Sequence, residues 1–136
     1  MTEGVLDTST FLLLDRMTDT ALLPDPPWIT TVTLAELGVG PLVARSEDER
    51  VRRQLQLQVA ESSFDPLPFD AAAARAFTRV VSSLRRTGRK TSARSLDAMI
   101  AATALSRGLA VHTCNPADFH GMDDLVVVAV PHPDDH

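Results

Sequence analysis

The feature that most constrains the fold is the alternation of short apolar segments with helical ones. Val5-Leu6 runs directly into the helix-capping residues 7–10 and then into the apolar residues 11–14, which predicts a buried strand, a cap and a helix. Three further strands are predicted from β-branched or continuously apolar segments at 28–32, 109–113 and 125–130. Short apolar strands separated by helices are typical of a parallel sheet covered on both faces.

Helix signals fill the intervals between these strands. A capping box of Thr33 with Glu36 begins the second helix. Because of its prolines, the segment 64–69 has room only for a short extended piece. The predicted order is therefore βαβαα(β)ααβαβ, in one domain over residues 1–131 with a polar tail at 132–136. The remaining long helices are predicted to begin near Ser46, Asp70 and Ser95.

The composition narrows the functional class. Among the 136 residues, 13 basic and 18 acidic side chains give a net charge of −5. This balance argues against bulk electrostatic binding of nucleic acid, but not against an enzyme that reaches RNA through a local basic patch and a metal. The lone lysine, Lys90, lies in no P-loop, and no GxGxxG fingerprint is present. The single cysteine, the lack of a secretion signal and the absence of a membrane-length apolar run predict a cytoplasmic protein.

Acidic residues lie where the predicted strands end. Asp7 follows the first strand, Glu36 lies in the first turn of the helix after the second, and Asp118 lies just past a later strand. Asp97, in the first turn of its own helix, joins them if that helix starts at the same edge. Carboxylates that converge repel one another, and a hard divalent cation relieves that repulsion. The sequence therefore predicts a Mg²⁺ or Mn²⁺ site for hydrolysis of a phosphodiester by metal-activated water.

Four segments, in this order along the chain, carry a family resemblance: 5–9, 33–37, 96–104 and 113–119. They are similar to the motifs of the PIN-domain ribonucleases, and specifically of the VapC-type toxins of bacterial type II toxin–antitoxin pairs. The resemblance implies a PIN-like three-layer α/β/α sandwich with a short-stranded, mostly parallel central sheet. It also implies a Mg²⁺- or Mn²⁺-dependent endoribonuclease that leaves a 5′-phosphate and a 3′-hydroxyl.

The resemblance also assigns roles to individual residues. Asp7, Glu36 and Asp97 match the core metal-binding acids. The fourth position falls on Asp118 or on Asn115, and we expect Asp118 to coordinate through water with Asn115 orienting it. The expected hydrogen-bond donors to the carboxylates are Thr8, Ser9 and Thr113.

An apolar segment and a basic cluster predict surfaces for binding partners. Residues 11–14 are more apolar than one helix face needs, and the resemblance implies a groove for a cognate antitoxin and a homodimer interface. Five of the 13 basic residues lie within ten positions, and they predict either RNA-backbone contacts or a solvated turn at a helix C-terminus. These residues are Arg85, Arg86, Arg89, Lys90 and Arg94.

Other interpretations remain open. Each acid taken singly is also explained by the preference of Asp and Glu for helix N-termini. A catalytically inert PIN-like domain that only binds a partner would share the same fold. A metal-dependent phosphatase on another doubly wound fold is the third alternative, although the haloacid-dehalogenase type needs Asp-x-Asp where this chain has Asp7-Thr8-Ser9.

Overall fold

A computed structural model describes residues 2–135 of the chain. The strands are β1 (Gly4–Leu6), β2 (Pro27–Trp28), β3 (Val111–Thr113) and β4 (Val127–Ala129). The helices are α1 (Thr8–Phe11), α2 (Thr31–Val39), α3 (Glu47–Ser63), α4 (Ala71–Arg86) and α5 (Ser95–Ser106). Short 3₁₀ turns cover Leu14–Arg16, Gly40–Val43, Ser92–Arg94 and Pro116–Phe119.

The four strands form one parallel sheet in the order β2-β1-β3-β4. In the register, Val5 pairs with Trp28 on one side and with Val111 on the other, and Val111 pairs with Val127. Because every strand runs in the same direction, all four carboxyl ends lie at the same edge. This topology confirms the predicted short-stranded α/β sandwich.

Helices cover both faces of the sheet, as the alternation of side chains along β1 requires. Val5 faces the core that α4 and α5 complete, with Val80 and Ile100 among its buried members. Leu6 faces the opposite core, which α1, α2 and α3 complete. Its buried members include Phe11, Leu37 and Ala60. None of the helices within residues 2–135 combines the length and the apolarity needed to cross a bilayer.

The start of α2 differs from the prediction. Thr30, not Thr33, is the N-cap, and its Oγ1 accepts a hydrogen bond from the Thr33 backbone N–H at 3.2 Å. The helix therefore begins earlier, β2 is shorter than predicted, and Glu36 lies in the second turn rather than the first. The reason is that Thr30-Thr31 carries both a strand and a cap signal, and the cap prevails.

The predicted caps of α3 and α4 are confirmed. Ser46 Oγ accepts from the Glu49 N–H at 3.1 Å, and Asp70 Oδ1 accepts from the Ala73 N–H at 3.0 Å. The proline-rich extended segment is also present, because Leu67 forms a parallel bridge to Thr30. These local signals therefore fix the two long helices α3 and α4.

Gly38 gives a test of the packing around α2. A Cβ added at this helical position would meet no atom within 4 Å. We therefore expect Gly38→Ala to raise the free energy of unfolding by about 0.5–1 kcal/mol, measured by urea denaturation, because alanine favours the helix. Gly4→Ala is the matched control and should destabilise the protein, since its Cβ would lie 2.4 Å from His112 Cδ2. A loss of stability in Gly38→Ala would contradict the exposed position of this helix face.

Candidate metal centre

Asp7 is the most buried of the candidate acids, with 2% of its surface exposed. Although it occupies the N-cap position of α1, its side chain makes no capping hydrogen bond. Instead, its Oδ2 accepts hydrogen bonds from Thr113 Oγ1 and Ser9 Oγ, both at 3.0 Å. Its Oδ1 is buried and, within residues 2–135, is the one buried side-chain polar atom without a hydrogen-bond partner. A buried carboxylate oxygen in this state is suited to a cation ligand rather than to a structural cap.

Glu36 is held by a second hydrogen-bonded chain. Thr8 Oγ1 donates to Glu36 Oε1 at 2.7 Å and lies 2.9 Å from Thr33 Oγ1. Thr33 is fully buried in α2. Sequence reasoning missed this residue because Thr33 was interpreted as a helix cap. The two hydroxyls link α1 to α2 and fix the position of the Glu36 carboxylate.

The side chain of Asn115 is connected to Asp7 rather than to Asp118, to which only its backbone carbonyl is hydrogen-bonded. Its Nδ2 donates to Ser9 Oγ at 3.0 Å, and Ser9 in turn donates to Asp7. Its backbone N–H donates to Thr113 Oγ1 at 2.9 Å. The structure therefore places Asn115, Ser9 and Thr113 in one network around the Asp7 carboxylate.

The pKa of Asp97 reflects the nearness of the other three acids. Its pKa is raised to about 6, first because burial disfavours the charged form and then because the negative charges of Asp118, Asp7 and Glu36 face it. The positive charge of Arg94 acts in the opposite direction. The four predicted acids are therefore brought together at the carboxyl edge of the sheet, from β1, α2, α5 and the turn after β3.

Arg94 is the cation of this cluster. Its Nη1 donates to Asp118 Oδ1 at 2.9 Å and lies 3.9 Å from Asp97 Oδ2. Sequence reasoning placed Arg94 with the basic residues and Asp118 with the acids, and missed their contact. The spacing of Arg94 and Asp97, one helical turn apart, is a local signal that places Arg94 beside the acids, whereas no local pattern indicates its contact with Asp118.

The other four residues of the predicted basic cluster lie outside the acidic cluster. Arg86 pairs with the exposed Asp123 at 2.8 Å, and Arg89 donates to the Ala117 carbonyl at 3.3 Å. Arg85 and Lys90 are exposed. The predicted basic cluster therefore divides into Arg94, which lies in the site, and four residues on the surface near it.

The residues present fit a hard divalent cation. Four carboxylates supply oxygen donors, which Mg²⁺ and Mn²⁺ prefer, and the buried Asp7 Oδ1 lacks any other partner. As the side chains of residues 2–135 stand, no three of type His, Cys, Asp or Glu are grouped closely enough to chelate a metal ion. Ligation therefore needs the acids to move towards one another, and the contact of Asp118 with Arg94 opposes that movement.

Comparison with known proteins assigns the chain to a family. Residues 5–125 match the family model of the PIN domain, and the chain therefore belongs to the PIN domain family.

Its relatives within that family are VapC proteins. The chain is 41% identical to Ribonuclease VapC5 of Mycobacterium tuberculosis over 129 residues, which is 93% of both chains. It is 35% identical to Ribonuclease VapC4 of the same organism over 102 residues, or 75% of each chain. A similar solved structure is the crystal structure of VapBC-5 from M. tuberculosis, a member of the VapBC family of toxin–antitoxin systems. It superposes on this chain with a TM-score of 0.82 at 39% sequence identity. The match covers 96% of this chain and 100% of that one.

Proposed function

We propose that this protein is a metal-dependent endoribonuclease and the toxin of a cytoplasmic toxin–antitoxin pair. The observation that carries the proposal is the cluster of four acids around Asp97, together with the unpartnered buried Oδ1 of Asp7. The relatives named Ribonuclease VapC support the activity, and the VapBC-5 structure supports the pairing with an antitoxin. Because the chain belongs to the PIN family, the alternative of a phosphatase on another doubly wound fold is excluded.

In this proposal, Asp7, Glu36, Asp97 and Asp118 hold Mg²⁺ or Mn²⁺. When bound, such an ion supplies an activated water and neutralises charge on a phosphodiester. The chain itself orients the ligands: Thr113 and Ser9 fix one oxygen of Asp7 and leave the other free, and Thr8 fixes Glu36. These hydrogen bonds orient the Asp7 and Glu36 carboxylates before a cation binds.

The first test is cleavage of RNA by the purified, antitoxin-free protein. We expect discrete cuts in total cellular RNA in the presence of Mg²⁺ or Mn²⁺, and none in EDTA, with the new ends mapped by sequencing. A 5′-phosphate on each downstream fragment is the expected product. Failure to cut with either metal, from a folded protein, would favour the catalytically inert binding domain.

The exposed apolar residues of the structure lie outside the segment 11–14. Phe11 is buried, Leu12 and Leu14 pack half-buried against the core with α2 and α3, and Leu13 is also half-buried, so the predicted surplus at 11–14 forms no exposed patch. Exposed apolar side chains lie instead on α2, the 3₁₀ turn that follows it, and α3. We call this set the α2–α3 patch: Val39, Leu42, Val43, Val51, Leu55 and Val59.

The helices and the turn that carry the α2–α3 patch also line a cavity next to Glu36, although the patch residues themselves do not line it. A cavity of about 210 Å³ opens between α1, α2 and α3, and both Glu36 and Arg53 line it. Leu42, at 82%, is the most exposed large apolar residue that the structure describes, and the patch is therefore suited to an apolar partner segment. We propose that the antitoxin packs on this patch and restricts access to Glu36 through the adjoining cavity.

Substitution of the patch tests this partner surface. We expect Leu42→Asp to weaken binding of the co-expressed cognate antitoxin by about tenfold or more, because a buried apolar anchor is replaced by a charge. Val126→Asp is the matched control, since Val126 is also exposed but lies beside β4. Affinities are measured by titration calorimetry, and RNA cleavage by the free protein should be unchanged. Unaltered antitoxin binding, with loss of a homodimer instead, would assign the patch to self-association.

A further inference from the structure

We propose that Arg94 is a positioning residue that competes with the divalent cation for Asp118 and is released to the RNA phosphate when the cation binds. The inference rests on the proposed function, which assigns Asp118 as a ligand. Its basis is direct geometry: the Arg94 guanidinium lies 2.9 Å from Asp118 Oδ1 and 3.9 Å from Asp97 Oδ2. One positive group therefore bridges two of the four acids.

The position and the partial exposure of Arg94 indicate a side chain that is paired but free to move. The residue ends the 3₁₀ turn Ser92–Arg94 and occupies the N-cap position of α5, with φ −121° and ψ 16°. Its side chain is 33% exposed, as is that of Asp118. The ion pair is thus screened only in part, and neither partner is locked in the core.

The structure also offers a second location for the guanidinium. Arg94 lines an open cavity of about 640 Å³ together with Arg89, next to the turn that carries Asp118. Movement into this cavity would separate Arg94 from Asp118 without displacing α5. There it would join a second guanidinium, and paired arginines suit the bidentate recognition of a phosphate.

The cation and Arg94 compete because both are positively charged and both bind the Asp118 carboxylate. A cation that takes Asp118 Oδ1 as a ligand needs the oxygen that Arg94 now occupies. A phosphate that binds Arg94 withdraws it from the acids and so strengthens cation binding. By thermodynamic linkage, the cation then strengthens phosphate binding by the same factor. Arg94 would therefore couple loading of the metal to the presence of the substrate.

The test is calorimetric titration of Mn²⁺ into four forms of the full chain: wild type, Arg94→Gln, Arg94→Lys and Arg50→Gln. Adenosine 5′-monophosphate serves as the phosphate probe. Without it, we expect Arg94→Gln to bind Mn²⁺ about tenfold more tightly than wild type, whereas Arg94→Lys retains the weaker affinity. With it, Mn²⁺ binding tightens in wild type and not in Arg94→Gln. Arg50→Gln, which alters an arginine paired with Glu47 on α3, should match wild type throughout.

The outcomes separate this inference from the proposed function. Equal or weaker Mn²⁺ binding by a folded Arg94→Gln variant, or unchanged coupling to the nucleotide, would overturn the role of Arg94. If wild type still cuts RNA with Mg²⁺ in that case, the ribonuclease proposal stands. If wild type binds no Mn²⁺ at all, both proposals fail.

Discussion

Asp7→Asn is expected to abolish metal-dependent RNA cleavage and to leave the fold intact. The substitution removes the charge of the most buried acid and replaces a hard ligand with a neutral amide. Loss of a metal ligand removes several kcal/mol of transition-state stabilisation, which corresponds to a fall in rate of about 10³-fold or more. The measurement is the initial rate of RNA cleavage at saturating Mg²⁺ by the purified variant.

The amide is a close match in shape, which makes the variant informative. Its oxygen still accepts the hydrogen bonds from Thr113 and Ser9 that Asp7 Oδ2 accepts now. Asp65→Asn is the matched control, because Asp65 is an exposed acid outside the cluster, and it should cleave as wild type does. Cleavage by a folded Asp7→Asn variant within a few-fold of wild type would remove Asp7 from the metal site.

Asp97→Asn is expected to stabilise the metal-free protein at neutral pH. Burial and the facing acids raise the pKa of Asp97 in the folded protein to about 6, from 3.8 without those effects. The folded state therefore binds the proton more tightly than the unfolded state. The contribution of Asp97 to stability then falls as the pH rises from about 4 to about 6, and it stays low above pH 6. After a discount for solvent screening, the ionised Asp97 carboxylate lowers the free energy of unfolding by about 1–2 kcal/mol at pH 7.

Urea denaturation in EDTA from pH 4 to pH 8 measures this penalty. The variant should be more stable than wild type at pH 7, and the difference should shrink towards pH 4, where Asp97 is protonated in the folded protein. Added Mn²⁺ should stabilise wild type and not the variant, since the ion binds the carboxylate cluster of the folded state. A difference that is the same at pH 4 and pH 7 would contradict the electrostatic origin of the effect.

The strands and the acids at their ends are predictable because their signals are local. Val5-Leu6 is apolar and Asp7-Thr8 is polar within four consecutive residues, so the position where β1 ends is set by the chain itself. Asp70 likewise marks the start of α4 by its capping hydrogen bond. Parallel strands then bring separate acids to one edge without further information.

Other features depend on tertiary contacts that a linear pattern does not contain. Ser46 correctly predicts where α3 begins, but only the packing of α3 shows that its apolar residues Val51, Leu55 and Val59 are exposed. The ion pair of Arg94 with Asp118 joins residues 24 positions apart. In the sequence alone, the charge of either residue is compatible with several contacts, and the folded structure shows which contact each residue makes.

Anomalous diffraction from crystals soaked in Mn²⁺ tests the central claim most directly. The account predicts a peak within oxygen-ligand distance of Asp7 Oδ1, about 2.0–2.6 Å, with Glu36, Asp97 and Asp118 around it and Arg94 withdrawn from Asp118. The same soak of Asp7→Asn crystals should show no peak there. A peak away from the four acids, or none at saturating Mn²⁺ in wild-type crystals, would contradict the assignment of this edge of the sheet as a metal centre.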